Sequence, residues 1–189
     1  MKTEQQYYEE AISLQDYMSK METHKDNTMN IYEQFQMPKD DEFIQILKEK
    51  NPHVLVITED WCGDAMMNNP ILRHIAEAAG IEVRCVYRDQ NLDLMDQYLT
   101  NGGRSIPVYL LLSKDGEVLA KWGPRAPKVQ EFVTDIRKDL PAKEDPSFQE
   151  KQKEVIGQMT EQYKTNPDFW LWVYEDIRKE FMPAVQKSS

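Results

Sequence analysis

The sequence predicts an α/β fold in which a central mixed β-sheet is flanked by helices, with further helices at both ends of the chain. Apolar strand patterns at 54–57 and 81–87 stand on either side of a helical pattern at 65–79. Two strands that are joined through a helix lie parallel in a sheet. The turn signal Lys114-Asp115-Gly116 lies between two further strand patterns and indicates an antiparallel hairpin. The sheet is therefore expected to be mixed.

Each element rests on hydrophobic spacing and on the residues that begin or end it. Apolar residues at helical spacing predict one amphipathic helix over residues 4–21. Asn27 is expected to cap the next helix, Asp40 or Asp41 the one after it, and Gly80 fits the position just past a helix end. In chain order we expect helices at 4–21, 27–35 and from 41, strand 54–57, helix 65–79, strand 81–87, helix 91–100, strands 108–112 and 117–122, and helices 127–140, 148–163 and 167–181.

Length and charge limit the class of protein. A chain of 189 residues suits one domain with additions. We expect an N-terminal helical extension at 1–40, a central α/β domain at 41–140 and a C-terminal helical extension at 141–189. The net charge of −10 argues against a nucleic-acid partner, since binding to phosphates needs a basic surface. The longest apolar run, 169–174, is too short to span a membrane, and the first residues have no signal or transit pattern, so we expect a cytoplasmic protein.

The sequence offers no pattern for a cofactor or a metal. It has no glycine-rich phosphate loop, and its two cysteines and three histidines lack metal-ligand spacing. Two cysteines also cannot form a disulfide scaffold. Chemistry is therefore expected from side chains alone. The strongest candidate is Trp61-Cys62-Gly63-Asp64-Ala65, because it joins a buried strand to the start of a helix.

Five features in order make residues 41–140 resemble the thioredoxin family. They are the Trp61-Cys62-Gly63 turn, Pro70 in the following helix, the Asp89-Gln90-Asn91 segment, the segment from Gly103 to Pro107, and the Lys114-Asp115-Gly116-Glu117 hairpin with Gly123. The resemblance implies a thioredoxin-like fold, a nucleophilic Cys62 and a cis peptide bond before Pro107. It also implies a substrate-binding surface beside Cys62, made of Trp61, Gly63, Ile106 and Pro107.

Three positions depart from the family's pattern. Ala65 stands where the family has its second cysteine, and Asp64 stands where it commonly has proline. Val56 takes the place of a buried aspartate that helps to move protons for the second thiol. The resemblance therefore implies that this chain cannot run the ordinary dithiol cycle, because both the second sulfur and its proton relay are absent.

Cys62 and Asp64 each have two interpretations. Cys62 is expected at a helix N-terminus, where free N–H groups and the dipole favour a reactive thiolate, although Glu59, Asp60 and Asp64 raise its pKa. The alternative is an inert cysteine that remains in a binding scaffold. Asp64 is expected to complement the helix dipole, as acidic residues in first turns commonly do. It is also a candidate proton acceptor for an attacking or leaving thiol.

Cys85 is expected to be an inert core residue, because free cysteine is among the most buried residue types. The alternative hypothesis is that Cys85 is a resolving thiol. The resemblance implies that the side chain at this strand position points towards the underside of the Cys62 site.

The sequence as a whole favours a cytoplasmic thiol–disulfide oxidoreductase that acts through Cys62 in redox homeostasis. A single thiol can attack a protein disulfide, or a mixed disulfide between a protein and a low-molecular-weight thiol, and a second thiol must then resolve the product. The main alternative is a non-catalytic adaptor that uses the same surface to hold a protein. An iron–sulfur carrier of the monothiol glutaredoxin kind is less favoured, because the Cys-Gly-Phe-Ser pattern is missing.

Overall fold

The computed structural model describes residues 1–188 and has a mixed α/β architecture, as the sequence predicts. Its helices and strands are, in chain order, α1 (Glu4–Glu10), β1 (Ile12–Ser13), α2 (Leu14–Lys20), α3 (Lys25–Gln34), α4 (Asp41–Lys50), β2 (His53–Thr58), α5 (Gly63–Ala79), β3 (Val83–Tyr87), a 3₁₀ turn (Arg88–Gln90), α6 (Leu92–Met95), β4 (Val108–Leu112), β5 (Val118–Trp122), α7 (Pro127–Arg137), α8 (Phe148–Thr165) and α9 (Pro167–Gln186).

The five strands form one sheet in the order β1-β3-β2-β4-β5. Strand β2 pairs with β3 in parallel, with Val56 opposite Cys85, and it pairs with β4 antiparallel, with Val56 opposite Tyr109. Strands β4 and β5 form the antiparallel hairpin. Because β2 and β3 are parallel, their carboxyl ends lie at the same end of the sheet, beside the start of β4.

The N-terminal segment corrects the expectation of one helix over residues 4–21. Two short helices are separated by β1, in which Ile12 pairs with Cys85 at the edge of the sheet. The division has local causes: Thr3 forms a capping box with Gln6 at the start of α1, and the hydroxyl of Ser13 caps α2. The spacing of apolar residues alone could not distinguish two short helices from one long helix, because the buried residues of α1 and α2 lie at intervals that also fit a single helix.

The bounds of several other helices differ by a few residues from those that the sequence predicts. Helix α3 begins at Lys25 rather than Asn27, after a left-handed His24. Helix α5 begins at Gly63, two residues before the expected start. The helix predicted at 91–100 is reduced to the four residues of α6, and a 3₁₀ turn precedes it. Asp40 caps α4 and Gly80 ends α5 in the left-handed conformation, as expected.

The sheet has a buried core on each face. Alternate strand residues face α5 and the C-terminal helices, and this core includes Val56, Cys85 and Tyr109. The other set, which includes Leu55, Ile57 and Val108, packs under α1 and α6. The C-terminal helices are integral to the first core, since Tyr163, Trp170 and Phe181 are buried in it.

Among residues 1–188, no helix is both long enough and apolar enough to cross a membrane.

Candidate active site around Cys62

Cys62 is the N-cap residue of α5, at the edge of the sheet where β2 ends. Its sulfur donates a weak hydrogen bond to the main-chain carbonyl oxygen of Ile106 over 3.4 Å. The peptide bond between Ile106 and Pro107 is cis, and β4 begins at the next residue. The structure therefore brings together Cys62 and the Ile106-Pro107 segment, which lie far apart in the sequence.

The Cys62 thiol is only partly exposed, and its environment favours the protonated form. Burial raises the pKa of this thiol to about 11, and the negative charge of Asp64 adds to the effect. The backbone N–H groups of Ala65 and Asp64 and the charge of Arg125 act in the opposite direction, but they do not outweigh burial. At neutral pH the resting Cys62 side chain is therefore a thiol and not a thiolate.

Asp64 lies in the first turn of α5 and makes specific side-chain contacts there. Its Oδ1 accepts a hydrogen bond from Arg125 Nε over 2.9 Å and another from the Tyr163 hydroxyl over 2.7 Å. Asp64 is 8% exposed and Tyr163 is 1% exposed. Burial raises the pKa of the Asp64 carboxyl, and the contacts with Arg125 and Tyr163 limit that rise. The ion pair is thus largely removed from water.

Sequence reasoning missed Arg125 and Tyr163 as site residues. Arg125 reaches the site because the chain after β5 passes directly against Pro107. Gly123 permits this approach: its φ is +120°, and a Cβ atom there would lie 2.1 Å from the Pro107 carbonyl oxygen. Tyr163 comes from the C-terminal extension, and a Cβ atom added to Gly63 would lie 3.9 Å from its ring. Neither contact has a sequence signal, since each joins segments distant in the chain.

Two of the acidic residues expected to raise the Cys62 pKa have structural roles elsewhere. Asp60 accepts hydrogen bonds from the backbone N–H groups of Glu22 and Thr23, over 2.8 Å and 3.2 Å. Glu59 accepts one from the backbone N–H of Asp89 over 2.9 Å. These contacts fix the loop between β2 and Cys62 against its neighbours. Asp64 is the carboxylate that acts on Cys62.

The floor of the site is apolar where a dithiol enzyme would hold its proton relay. Val56 is fully buried and Ala65 is 1% exposed, so neither position offers an ionisable group. Cys85 is 2% exposed, belongs to the α5-side core with Val56, and burial raises its thiol pKa well above the usual range. Cys62 instead contacts the core on the opposite face of the sheet, and both cysteines are free.

A chain of buried hydrogen bonds lies beside Val56 and ties β2, α5 and β4 together. The Tyr109 hydroxyl donates to Asn69 Oδ1 over 2.7 Å, and Asn69 Nδ2 donates to Thr58 Oγ1 over 3.2 Å. The Thr58 hydroxyl also hydrogen-bonds with that of Tyr17 over 3.2 Å. Because these buried groups satisfy one another, they fix the position of the strand end from which the Cys62 turn begins.

The outer rim of the site is formed by Trp61, which is 48% exposed. The guanidinium group of Arg88 lies 4.9 Å from the centre of the Trp61 ring, in a cation–π contact. Arg88 Nη1 also donates to the carbonyl oxygen of Arg104 over 3.0 Å. Arg88 thus links the Trp61 side of the turn to the segment that leads into Ile106 and Pro107.

Within the part of the chain that the structure describes, no group of three or more His, Cys, Asp or Glu side chains is arranged to hold a metal ion.

The fold and the sequence of the Cys62 turn define a thioredoxin-fold protein with one cysteine in the turn that leads into α5. The model of the family described as Thioredoxin matches residues 11–137, and the chain therefore belongs to the thioredoxin family. The match begins at residue 11, immediately before β1, which is consistent with the place of that strand in the sheet.

Solved structures support the same fold. The chain is similar to a crystal structure of a protein of unknown function from Pseudomonas aeruginosa, with a TM-score of 0.62 and 15% identity over 94% of this chain and 99% of that one. It is also similar to an HIV epitope-scaffold, with a TM-score of 0.59 and 16% identity over 92% of this chain and 99% of that one. No curated protein sequence matches this chain.

Proposed function

We propose that this protein is a thiol–disulfide oxidoreductase of the cytoplasm that acts through the single nucleophile Cys62 in redox homeostasis. The observation that carries the proposal is the position of Cys62: it caps α5 and contacts the Ile106 carbonyl beside Pro107, while Ala65 supplies no second sulfur. The substrates are protein disulfides, or mixed disulfides between a protein and a low-molecular-weight thiol.

The reaction is an exchange between one thiol and one disulfide. The Cys62 sulfur attacks a disulfide sulfur, the substrate's S–S bond breaks, and the second sulfur leaves as a thiol after it takes up a proton. Cys62 is then joined to the first sulfur in a mixed disulfide. A second small thiol resolves it by attack on this bond, which restores Cys62.

Cys85 is the alternative resolving thiol, but its surroundings favour an external one. Its side chain is buried in the α5-side core, whereas Cys62 contacts the opposite core. A disulfide needs Cα atoms about 4.4–6.8 Å apart and side chains directed at each other. Internal resolution therefore requires movement of the Cys62 turn, and an external thiol does not.

The decisive experiment is intact-mass analysis after exposure to glutathione disulfide, with Cys62→Ser as the matched control. We expect wild-type protein to gain one glutathione and Cys62→Ser to gain none. A wild-type protein that forms no adduct, even after long exposure, would contradict the proposal. That result would favour the adaptor function, for which the exposed Trp61 is the specific observation, since exposed aromatic residues are enriched at protein-binding surfaces.

A further inference from the structure

The Asp64, Arg125 and Tyr163 side chains form a buried cluster that joins three separate parts of the chain to the Cys62 turn. Asp64 comes from the first turn of α5, Arg125 from the segment after β5, and Tyr163 from α8. The Arg125 side chain is 16% exposed, and its Nη1 is held by Gln130 Oε1 over 2.9 Å. An ion pair this buried is not a solvated surface contact, so its position beside the nucleophile needs an explanation.

The hydrogen bonds to Asp64 are directed to one of its two oxygens. In residues 1–188, the side-chain donors Arg125 Nε and Tyr163 Oη both contact Oδ1. Two donors at Oδ1 fix the plane of the carboxylate and leave Oδ2 to take up a proton. Asp64 is two residues from Cys62, in the turn that Cys62 caps.

We propose that Arg125 and Tyr163 are positioning residues that hold Asp64 as the acceptor, and then the donor, of the proton that moves during exchange at Cys62. This inference rests on the proposed thiol–disulfide activity. It assigns to the C-terminal extension a direct role in the site, through Tyr163 of α8. It also gives Asp64 a role in proton transfer, in addition to the stabilisation of α5 by an acidic residue in its first turn.

The proton transfer keeps the charge of the site constant. The Cys62 S–H proton passes to the Asp64 carboxylate, and the sulfur's electron pair forms a bond to the near sulfur of the substrate disulfide. The S–S bond breaks, its electron pair stays on the far sulfur, and that sulfur takes the proton back from Asp64. The disulfide is reduced to one thiol and one half of the mixed disulfide, and Cys62 is oxidised.

The charge balance explains how a buried thiol can react here. A thiolate beside an ionised Asp64 would place two negative charges next to Arg125, with Arg137 as a further positive charge that acts on Asp64. Two adjacent negative charges are unfavourable in a site of low polarity. If the proton moves to Asp64, one negative charge remains throughout, and Arg125 balances it. The leaving sulfur benefits in the same way, because it departs as a neutral thiol.

The test compares two neutral disulfides that differ in how much their leaving thiol needs a proton. Dithiodipyridine releases an acidic thiol that needs none, whereas hydroxyethyl disulfide releases a basic one that does. Rates of adduct formation at Cys62 are measured by mass spectrometry across a pH series. The variants are Asp64→Asn, Arg125→Gln and Tyr163→Phe, and Arg125→Lys replaces Arg125→Gln if the latter does not fold.

The chain offers a closely matched control. Asp40 Oδ2 accepts hydrogen bonds from Tyr174 Oη over 2.7 Å and from Arg178 Nε over 2.5 Å. The same three residue types, Asp, Tyr and Arg, thus join the start of α4 to α9. This second cluster also anchors a C-terminal helix, but it joins α9 to the start of α4 and not to the Cys62 turn. Asp40→Asn, Arg178→Gln and Tyr174→Phe therefore report the effect of a weakened helix anchor alone.

We expect Asp64→Asn to slow exchange with hydroxyethyl disulfide by about a hundredfold relative to dithiodipyridine, the usual size of a general acid–base contribution. Arg125→Gln and Tyr163→Phe should lower the same ratio by smaller factors, and the three control variants should leave it unchanged. The inference is overturned if Asp64→Asn alters both rates by one factor, or if Arg125→Gln and Tyr163→Phe keep the wild-type ratio. A wild-type protein that reacts with neither reagent would instead overturn the proposed activity itself.

Discussion

Cys85 lies directly opposite Val56 in the parallel register of β2 and β3, and both side chains are buried in the core that faces α5. The thiol therefore has an apolar neighbour at the place where the thioredoxin family has a buried aspartate. Nothing in this pairing favours a thiolate, and burial raises the Cys85 pKa. Burial raises the pKa of both thiols, and the two cysteines differ in exposure, because Cys62 is partly exposed and Cys85 is buried.

The first prediction concerns the relative reactivity of these cysteines. We expect iodoacetamide to modify Cys62 well before Cys85, because Cys62 is partly exposed and Cys85 is 2% exposed. The thiolate is the reactive form and the Cys62 pKa is raised to about 11, so the rate should increase with pH up to that value. Below the pKa, the increase should be roughly tenfold per pH unit. Peptide mapping, with Cys62→Ser as control, checks this, and faster labelling of Cys85 in the folded protein would refute it.

The second prediction concerns a crosslink between the two cysteines. Under mild diamide treatment with a small thiol present, we expect an adduct on Cys62 to form much faster than a Cys62–Cys85 disulfide. The reason is that the two side chains contact opposite cores of the sheet. Non-reducing peptide mapping distinguishes the products, and Cys85→Ala is the control. An internal disulfide that forms as fast as the adduct would make Cys85 the resolving thiol.

Much of the fold could be predicted because its signals are local. The strand pattern of β2, the hairpin turn between β4 and β5, and Gly80 at the end of α5 each depend on residues close together in the chain. The strand β1 was missed for a physical reason. It is two residues long, and its pairing with β3 depends on a partner about seventy positions away, which local spacing does not report.

Only the part of the candidate site that consists of neighbouring residues in the sequence could be predicted. The position of Cys62 follows from its turn, and the structure places its sulfur 3.4 Å from the Ile106 carbonyl oxygen, whereas the binding role of this surface stays a prediction. Arg125 and Tyr163 could not be located, because their contacts with Asp64 depend on how α8 and the segment after β5 pack in three dimensions. The sequence also does not show how deeply the Cys62 thiol is buried, and this burial is the main cause of its raised pKa.

The third prediction concerns the cluster that anchors α9. Burial on its own would raise the pKa of Asp40, but hydrogen bonds from Arg178, Tyr174 and the Phe43 N–H outweigh it and lower the pKa. A lowered carboxyl pKa stabilises the fold above the unfolded-state value of about 3.9, and this stabilisation is lost as the pH falls through the folded-state value. Asp40→Asn keeps a capping side chain but removes the charge.

We therefore expect Asp40→Asn to lower the free energy of unfolding by about 1–2 kcal/mol at neutral pH, and by less below about pH 4. Urea denaturation at the two pH values measures the difference. Asp41→Asn is the matched control, since the Asp41 side chain is 85% exposed and its ion pair with Lys39, at 3.9 Å, is of little energetic value. An Asp40→Asn effect that grows as the pH falls would contradict the assigned sign.

The fourth prediction concerns the missing second sulfur. Ala65 lies in the first turn of α5, three residues after Cys62, and is 1% exposed. Ala65→Cys places a thiol where a dithiol active site has its resolving cysteine, and the substitution adds one atom to a buried position. We expect the variant to form a disulfide between Cys62 and the introduced thiol on oxidation, and to gain some activity in an insulin-reduction assay.

That gain should stay small, because the buried Val56 cannot take the proton of the new thiol. Loss of a general base typically costs about 10²–10⁴ in rate, so we expect activity at least about a hundredfold below that of a dithiol thioredoxin. Ala65→Ser adds a side chain of similar size without a sulfur and should gain nothing. Ala65→Cys together with Val56→Asp should recover more activity than Ala65→Cys alone, provided that the double variant folds. Wild-type protein that reduces insulin as fast as a dithiol thioredoxin would contradict a monothiol mechanism, in which the active-site turn has no second sulfur to resolve the mixed disulfide.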